Sequence, residues 1–331
     1  MIELRSDELR FRFPEVHRDA SCRIEFIRTL RIPDDGDRYD LPPGLDSFPL
    51  QHVDDFAARV PKPWLGHGGV FLPMYQAEAM WLSFDGGDYP MAVKIGAGKI
   101  NAITGEPWQD RLSAAPKQDY LVVPGQPWLD GFYAGKGLIR QFVAMALGEG
   151  YTAEEQLTGT AEHGGLQVVA YPMRKEEYEK RFGAVLYSMD TVCCVAAPAE
   201  RLEEMGLAPG GLMEQEIYED EFGIDVWDQS VGARCFVHIL NSAQYHRVTG
   251  HKPPTEPPTA QQYAAAGLPW FRYYDRDREV LDQAGKLEGL DSVAAVRSKK
   301  RLAPLAGNEP LQPQVVKTLS PHGPAVRDGE W

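Results

Sequence analysis

The sequence predicts a mainly β fold, with α+β character only at its margins: an antiparallel β-sandwich or barrel with short peripheral helices and a C-terminal tail. Three observations carry this. Short β-branched and apolar runs dominate the middle of the chain. Gly, Pro and Asn/Asp clusters separate them at short spacing. No long amphipathic helix repeatedly follows a strand, which argues against Rossmann or TIM-barrel architectures.

The strand signals begin with residues 91–103 (MAVKIGAGKINAI), two strands joined through Gly96-Ala97-Gly98. Residues 120–123, 138–145, 166–171, 184–196 and 233–240 follow. After Arg234, the 234–240 run is apolar on both faces apart from His238, as expected of a strand covered on both sides. Helices are expected to be short. Thr259 to Gln262 fits a capping box, with Gly267 as its stop. Asn241 caps residues 242–249, closed by Gly250, and the charged stretch 174–181 forms a solvated helix or connector. Pro198, followed by AERLEEM and Gly206, shows the pattern of proline at the start and glycine at the end of a helix.

One strand-rich domain is expected over residues 1–298, with a subdivision conceivable near 172–183. The apolar periodicity fades after about residue 299, so residues 299–331 read as an extended tail on the domain.

With 331 residues, 43% hydrophobic and 25% charged, the chain has the composition of a folded protein. Its net charge of −14 repels phosphate backbones and anionic lipid, so neither nucleic acid nor membrane is the expected partner. The basic run Lys299-Lys300-Arg301 is better explained as a solvated tail. The N-terminal MIELRSDELRFRF lacks the apolar region of a signal peptide, and no apolar stretch approaches the length of a membrane span. Four cysteines, two of them adjacent, do not describe a secreted disulfide framework, and the expected compartment is the cytoplasm.

No residue pattern is a sharp catalytic signature. The histidines form no H-x-H or H-E-x-x-H pattern. Cys235 and His238 would point to opposite faces of a strand. The 219–228 carboxylates do not match a calcium loop, and the Gly96-Ala97-Gly98-Lys99 turn lacks the rest of a phosphate-binding loop. Cys193 and Cys194 sit in an apolar run, where burial would make a thiol inert. No metal or other cofactor is expected.

Two groups of residues remain as candidates. Trp64, Trp108, Trp128 and Trp270 each follow a proline, and Gly-Gly pairs precede strand-like segments. If those turns gather at one end of the fold, Trp64, Trp128 and Glu162 would line a ligand-binding mouth. His67, Asp130 and His163 would be its candidate catalytic groups, a histidine and a carboxylate acting as base and orienter. The plainer account is that the tryptophans plug the fold and the histidines are solvated. The second group is Trp270, Phe271, Arg272 and Tyr273, residue types that anchor interfaces; its plainer account is docking within the chain, with Arg272 pairing an acidic neighbour. The leading expectation is a non-enzymatic interaction or assembly protein, associating with itself or with a protein partner. The alternative is a small-molecule-binding protein or enzyme built on the mouth.

Overall fold

A computed structural model describes residues 1–183, 203–283 and 285–319. Strands take 36% of these residues and helices 17%, and the sheet is mainly antiparallel. The expected strands at 91–103, 120–123, 138–145, 166–171 and 233–240 all form, as Met91–Ala97 with Ile100–Asn101, Leu121–Val123, Leu138–Ala146, Leu166–Pro172 and Ala233–Asn241. The strand expected at 184–196, with Cys193 and Cys194, lies outside the described residues.

Among the described residues, seventeen strands join one hydrogen-bonded sheet. It does not close into a barrel, which corrects that half of the expectation. Parallel pairings also occur, as between Val70–Met74 and Ala233–Asn241. The main core lies along this sheet and includes Phe11, Ile24, Phe26, Leu82, Val93, Leu121, Phe142, Val168 and Val237. Ala233–Asn241 is a central strand, flanked by Leu166–Pro172 and Val70–Met74.

The helices are short, as their caps imply. Asn241 accepts a hydrogen bond from the Ala243 amide and Gly250 closes Ser242–Thr249. Thr259 and Gln262 form the expected capping box at Ala260–Ala265, and the charged stretch forms Lys175–Phe182. Of the helix expected between Pro198 and Gly206, residues 198–202 lie outside the described residues, and the glycine stop is not one. Gly206 lies inside an eleven-residue strand, Glu204–Glu214, which also contains Pro209-Gly210-Gly211. These glycines are not turn residues. A Cβ at Gly211 would overlap the Pro33 carbonyl, and one at Gly210 would overlap the Val143 side chain. Glycine is there because neighbouring backbone and side chains press against the strand.

Of the C-terminal region, Val316–Leu319 forms a parallel two-stranded sheet with Trp270–Tyr273. Asn308 also accepts hydrogen bonds from the Arg31 side chain and the Asp34 amide. None of the described helices is long and apolar enough to cross a membrane.

Candidate functional site

Strand alternation builds the floor of the site. Along Ala233–Asn241, the side chains of Cys235, Val237 and Ile239 enter the main core. Arg234, Phe236 and His238 therefore face the other way, and all three line one cavity of about 240 Å³. In register with Phe236 across two neighbouring strands are Gln167 and then Gly96. A Cβ at Gly96 would lie 2.6 Å from the Trp108 ring. That position must be glycine for the indole to lie against the sheet and form a wall.

His67 enters from the end of Lys62–His67, a helix with proline in its first turn. The chain then passes so close to the sheet that Gly69 abuts the Phe236 carbonyl oxygen. This contact, and a 3.1 Å hydrogen bond between His238 Nε2 and the Gly68 carbonyl, hold the helix end over the strand. The His67 ring stacks on Phe236 at 4.7 Å, and His238 stacks on Trp64 at 4.5 Å.

His163 enters from the loop after Ala153–Thr158. Glu154, almost wholly buried, accepts hydrogen bonds from the backbone amides of Lys99 and Gly164. One carboxylate thus ties the Lys99 turn to the His163 loop. The His67 and His163 rings come within 5.6 Å, centre to centre. His163 Nε2 lies 3.4 Å from Glu162 Oε2, yet it is buried without a hydrogen-bond partner among the described residues. Gln167 donates to the Gly98 carbonyl at 2.7 Å.

The electrostatics favour neutral imidazoles. Burial, aided by His163, Arg234 and Lys99, lowers the pKa of His67. Burial also takes His238 down to about 4, so its Nε2–H donates to Gly68 at neutral pH. Glu204, bonded to the Trp64 indole, is pushed up by burial. At the rim, Arg234 pairs with Asp110 at 2.6 Å and Lys99 with Glu162 at 3.6 Å. A histidine–carboxylate pair beside a second, neutral imidazole can move a proton to or from a bound molecule. No group of three or more His, Cys, Asp or Glu among the described residues is arranged to hold a metal ion.

Of the sequence candidates, the fold brings together His67, His163 and Glu162, with Trp64 behind His238. Asp130 and Trp128 do not line this cavity. Asp130 is enclosed in the protein, bonded to Gln215 at 2.8 Å, and burial raises its pKa to about 7. Trp128 packs edge-on against Tyr273 at 4.7 Å and Trp81 at 6.4 Å. The convergence expected of Asp130 with the two histidines is therefore absent, because the Trp128–Leu129 strand sends Asp130 inward toward Gln215 rather than to this rim. Trp108, Phe236, Arg234, Gln167 and Glu154 were not singled out in the sequence as site residues. The alternation of Arg, Phe and His at 234, 236 and 238 was the available signal for three of the lining side chains.

In the 270–273 segment, Trp270 is completely buried and cannot anchor a partner on this surface. Its ring packs with Leu30, Ile139 and Met213 in a separate core cluster. Arg272 forms an ion pair with Asp40, and the Phe271 amide hydrogen-bonds to the Leu41 carbonyl. This is the docking within the chain that the residue types also allowed. Comparison with protein-family models, curated proteins and solved structures gives no match, so any function must be argued from this geometry.

Proposed function

We propose that the chain is a small-molecule-binding protein whose site is the cavity between Trp108, Phe236, His67 and His163. One observation carries this reading: an aromatic-walled cavity gathers His67, Lys99, His163, Gln167 and Arg234 from five separate segments of the chain. An apolar enclosure with a few convergent polar groups is how ligand sites are commonly built. A cytoplasmic site of action belongs to the same reading. It rests on a cysteine count too low for a disulfide framework and on Cys22 and Cys235 being free and buried.

A thermal-shift screen of small metabolites on the full chain tests it. A ligand at 100 times its Kd stabilises by about 2.7 kcal/mol, and that gain should disappear in Phe236→Ala and Trp108→Ala. The reading fails if no compound stabilises the protein, or if the stabilisation survives both substitutions.

A second reading, self-association beside the 270–273 segment, is favoured by the strand Val316–Leu319. Val315, Val316 and Leu319 are 40%, 37% and 42% exposed, and the outer edge of that strand has no strand partner among the described residues. Exposed edges recruit further strands. Light scattering after size exclusion should then show an oligomer that Val316→Lys shifts toward monomer; a strictly monomeric wild type removes this reading.

A further inference from the structure

We propose that the cavity takes a small planar carboxylate, with its anionic end among Lys99, Arg234, His67 and His163 and its flat body against Trp108 and Phe236. This rests on the ligand-binding reading above and names the ligand's chemistry.

The four polar groups come from four separate segments: the turn after Met91–Ala97, the Ala233–Asn241 strand, the end of Lys62–His67 and the loop after Ala153–Thr158. All four line one cavity. The carboxylates that face them are either fully engaged or displaceable. Glu154 is held by two backbone amides and Glu204 by the Trp64 indole. Glu162 and Asp110 pair with Lys99 and Arg234 at the rim, where their side chains are 57% and 68% exposed. Exposed pairs of this kind contribute little and re-form readily with another anion. A ligand carboxylate can therefore replace them, leaving Glu162 hydrated and Asp110 on the Trp108 indole, which donates to it at 3.0 Å. The cavity, at about 240 Å³, is smaller than drug-sized sites, which fits a single ring. Trp108 and Phe236 line the cavity and supply the apolar contact for that ring.

Binding should also take up a proton. His67 is faced by His163, Arg234 and Lys99, which disfavour its charge, and by neutral His238, while Glu162 at the rim pairs with His163 and Lys99. A bound carboxylate reverses the local field, favours imidazolium and raises the pKa of His67. Proton binding and anion binding then assist one another, so affinity rises as the pH falls from 8 to 6.

Calorimetric titration of the full chain with benzoate, benzamide and inorganic phosphate, at pH 6 and pH 8, tests the proposal. Benzoate should bind about tenfold or more tightly than benzamide, the difference expected of a hydrogen-bonded charge. Lys99→Gln or Arg234→Gln should remove most of that preference. Both side chains reach the surface, and the melting temperature of each variant checks that the fold is intact. His67→Gln should flatten the pH dependence. Equal binding of benzoate and benzamide overturns the carboxylate assignment while binding at the cavity stands. Phosphate binding as tightly as benzoate overturns the planar body. If neither ring probe binds but the metabolite screen yields a neutral ligand lost in Trp108→Ala, the carboxylate assignment alone fails; if the screen yields nothing, the ligand-binding reading fails with it.

Discussion

Gly69→Ala is expected to destabilise the protein by about 3 kcal/mol or more, through backbone strain and steric overlap together. Gly69 has φ +83°, and a Cβ there would overlap the Phe236 carbonyl oxygen. That oxygen belongs to a central strand with neighbours on both sides, so it cannot retreat without disturbing the sheet. Gly68 supplies the control. Its φ is +64°, but a Cβ there meets nothing within 4 Å. Its ψ of −146° lies outside the left-handed helical region, so Gly68→Ala should incur that backbone strain, about 1–3 kcal/mol, without the overlap. Urea unfolding of the two variants measures the gap. Any folded Gly69→Ala protein should also lose ligand binding, since the backbone shift moves His67 off Phe236. Equal midpoints for the two variants would show that this close approach does not hold the helix end over the strand.

The second large effect is a pH dependence set by Asp130. Its carboxyl is wholly buried, with hydrogen bonds from Gln215 and Trp128 that only partly offset the lost hydration, and its pKa rises from 3.8 to about 7. The folded protein therefore holds a proton that the unfolded chain has already released. Below pH 4 both states are protonated and no penalty arises. Between about pH 4 and pH 7 folding must retain that proton at increasing cost, and above pH 7 the folded state carries a buried charge. Stability thus falls as the pH rises. At 1.36 kcal/mol for each pH unit between the two pKa values, the full loss is about 4 kcal/mol. Asp130→Asn cannot titrate, so its stability relative to wild type should improve by up to about that amount between pH 4 and pH 8.5. Denaturant titrations of both proteins at the two pH values isolate this residue from all others that titrate. A difference that does not change with pH would mean that Asp130 is ionised in the fold even in mild acid.

Much of the fold was legible because its signals are local. The alternation and β-branched content of 166–171 and 233–240 specify strands whatever they pair with. The side chains of Asn241 and Thr259 bond to amides two or three residues away, so the helix starts could be read directly. The Glu204–Glu214 strand was hidden for the opposite reason. Its glycines have the residue signature of a turn, and only the pressure of Pro33 and Val143 explains them. The candidate site divides in the same way. His67 and His163 stood out as titratable groups beside glycine pairs, but Phe236 and Trp108 looked like ordinary core residues until the sheet brought them together.

By itself the sequence determined the β-rich class, several strands in the middle of the chain, and the helix caps at Asn241 and Thr259. These depend on the two-residue repeat of a strand and on hydrogen bonds between near neighbours. Only the tertiary structure decided that the sheet stays open, that Asp130 turns inward while His67 and His163 meet, and that Trp270 is buried. Strand pairing joins segments far apart in the chain, and the same alternating pattern satisfies many partners and both faces equally. The choice among them is made by packing the whole core at once, as Gly96 shows: its missing side chain lets the Trp108 indole lie against the sheet, whereas in the sequence it was only a turn glycine.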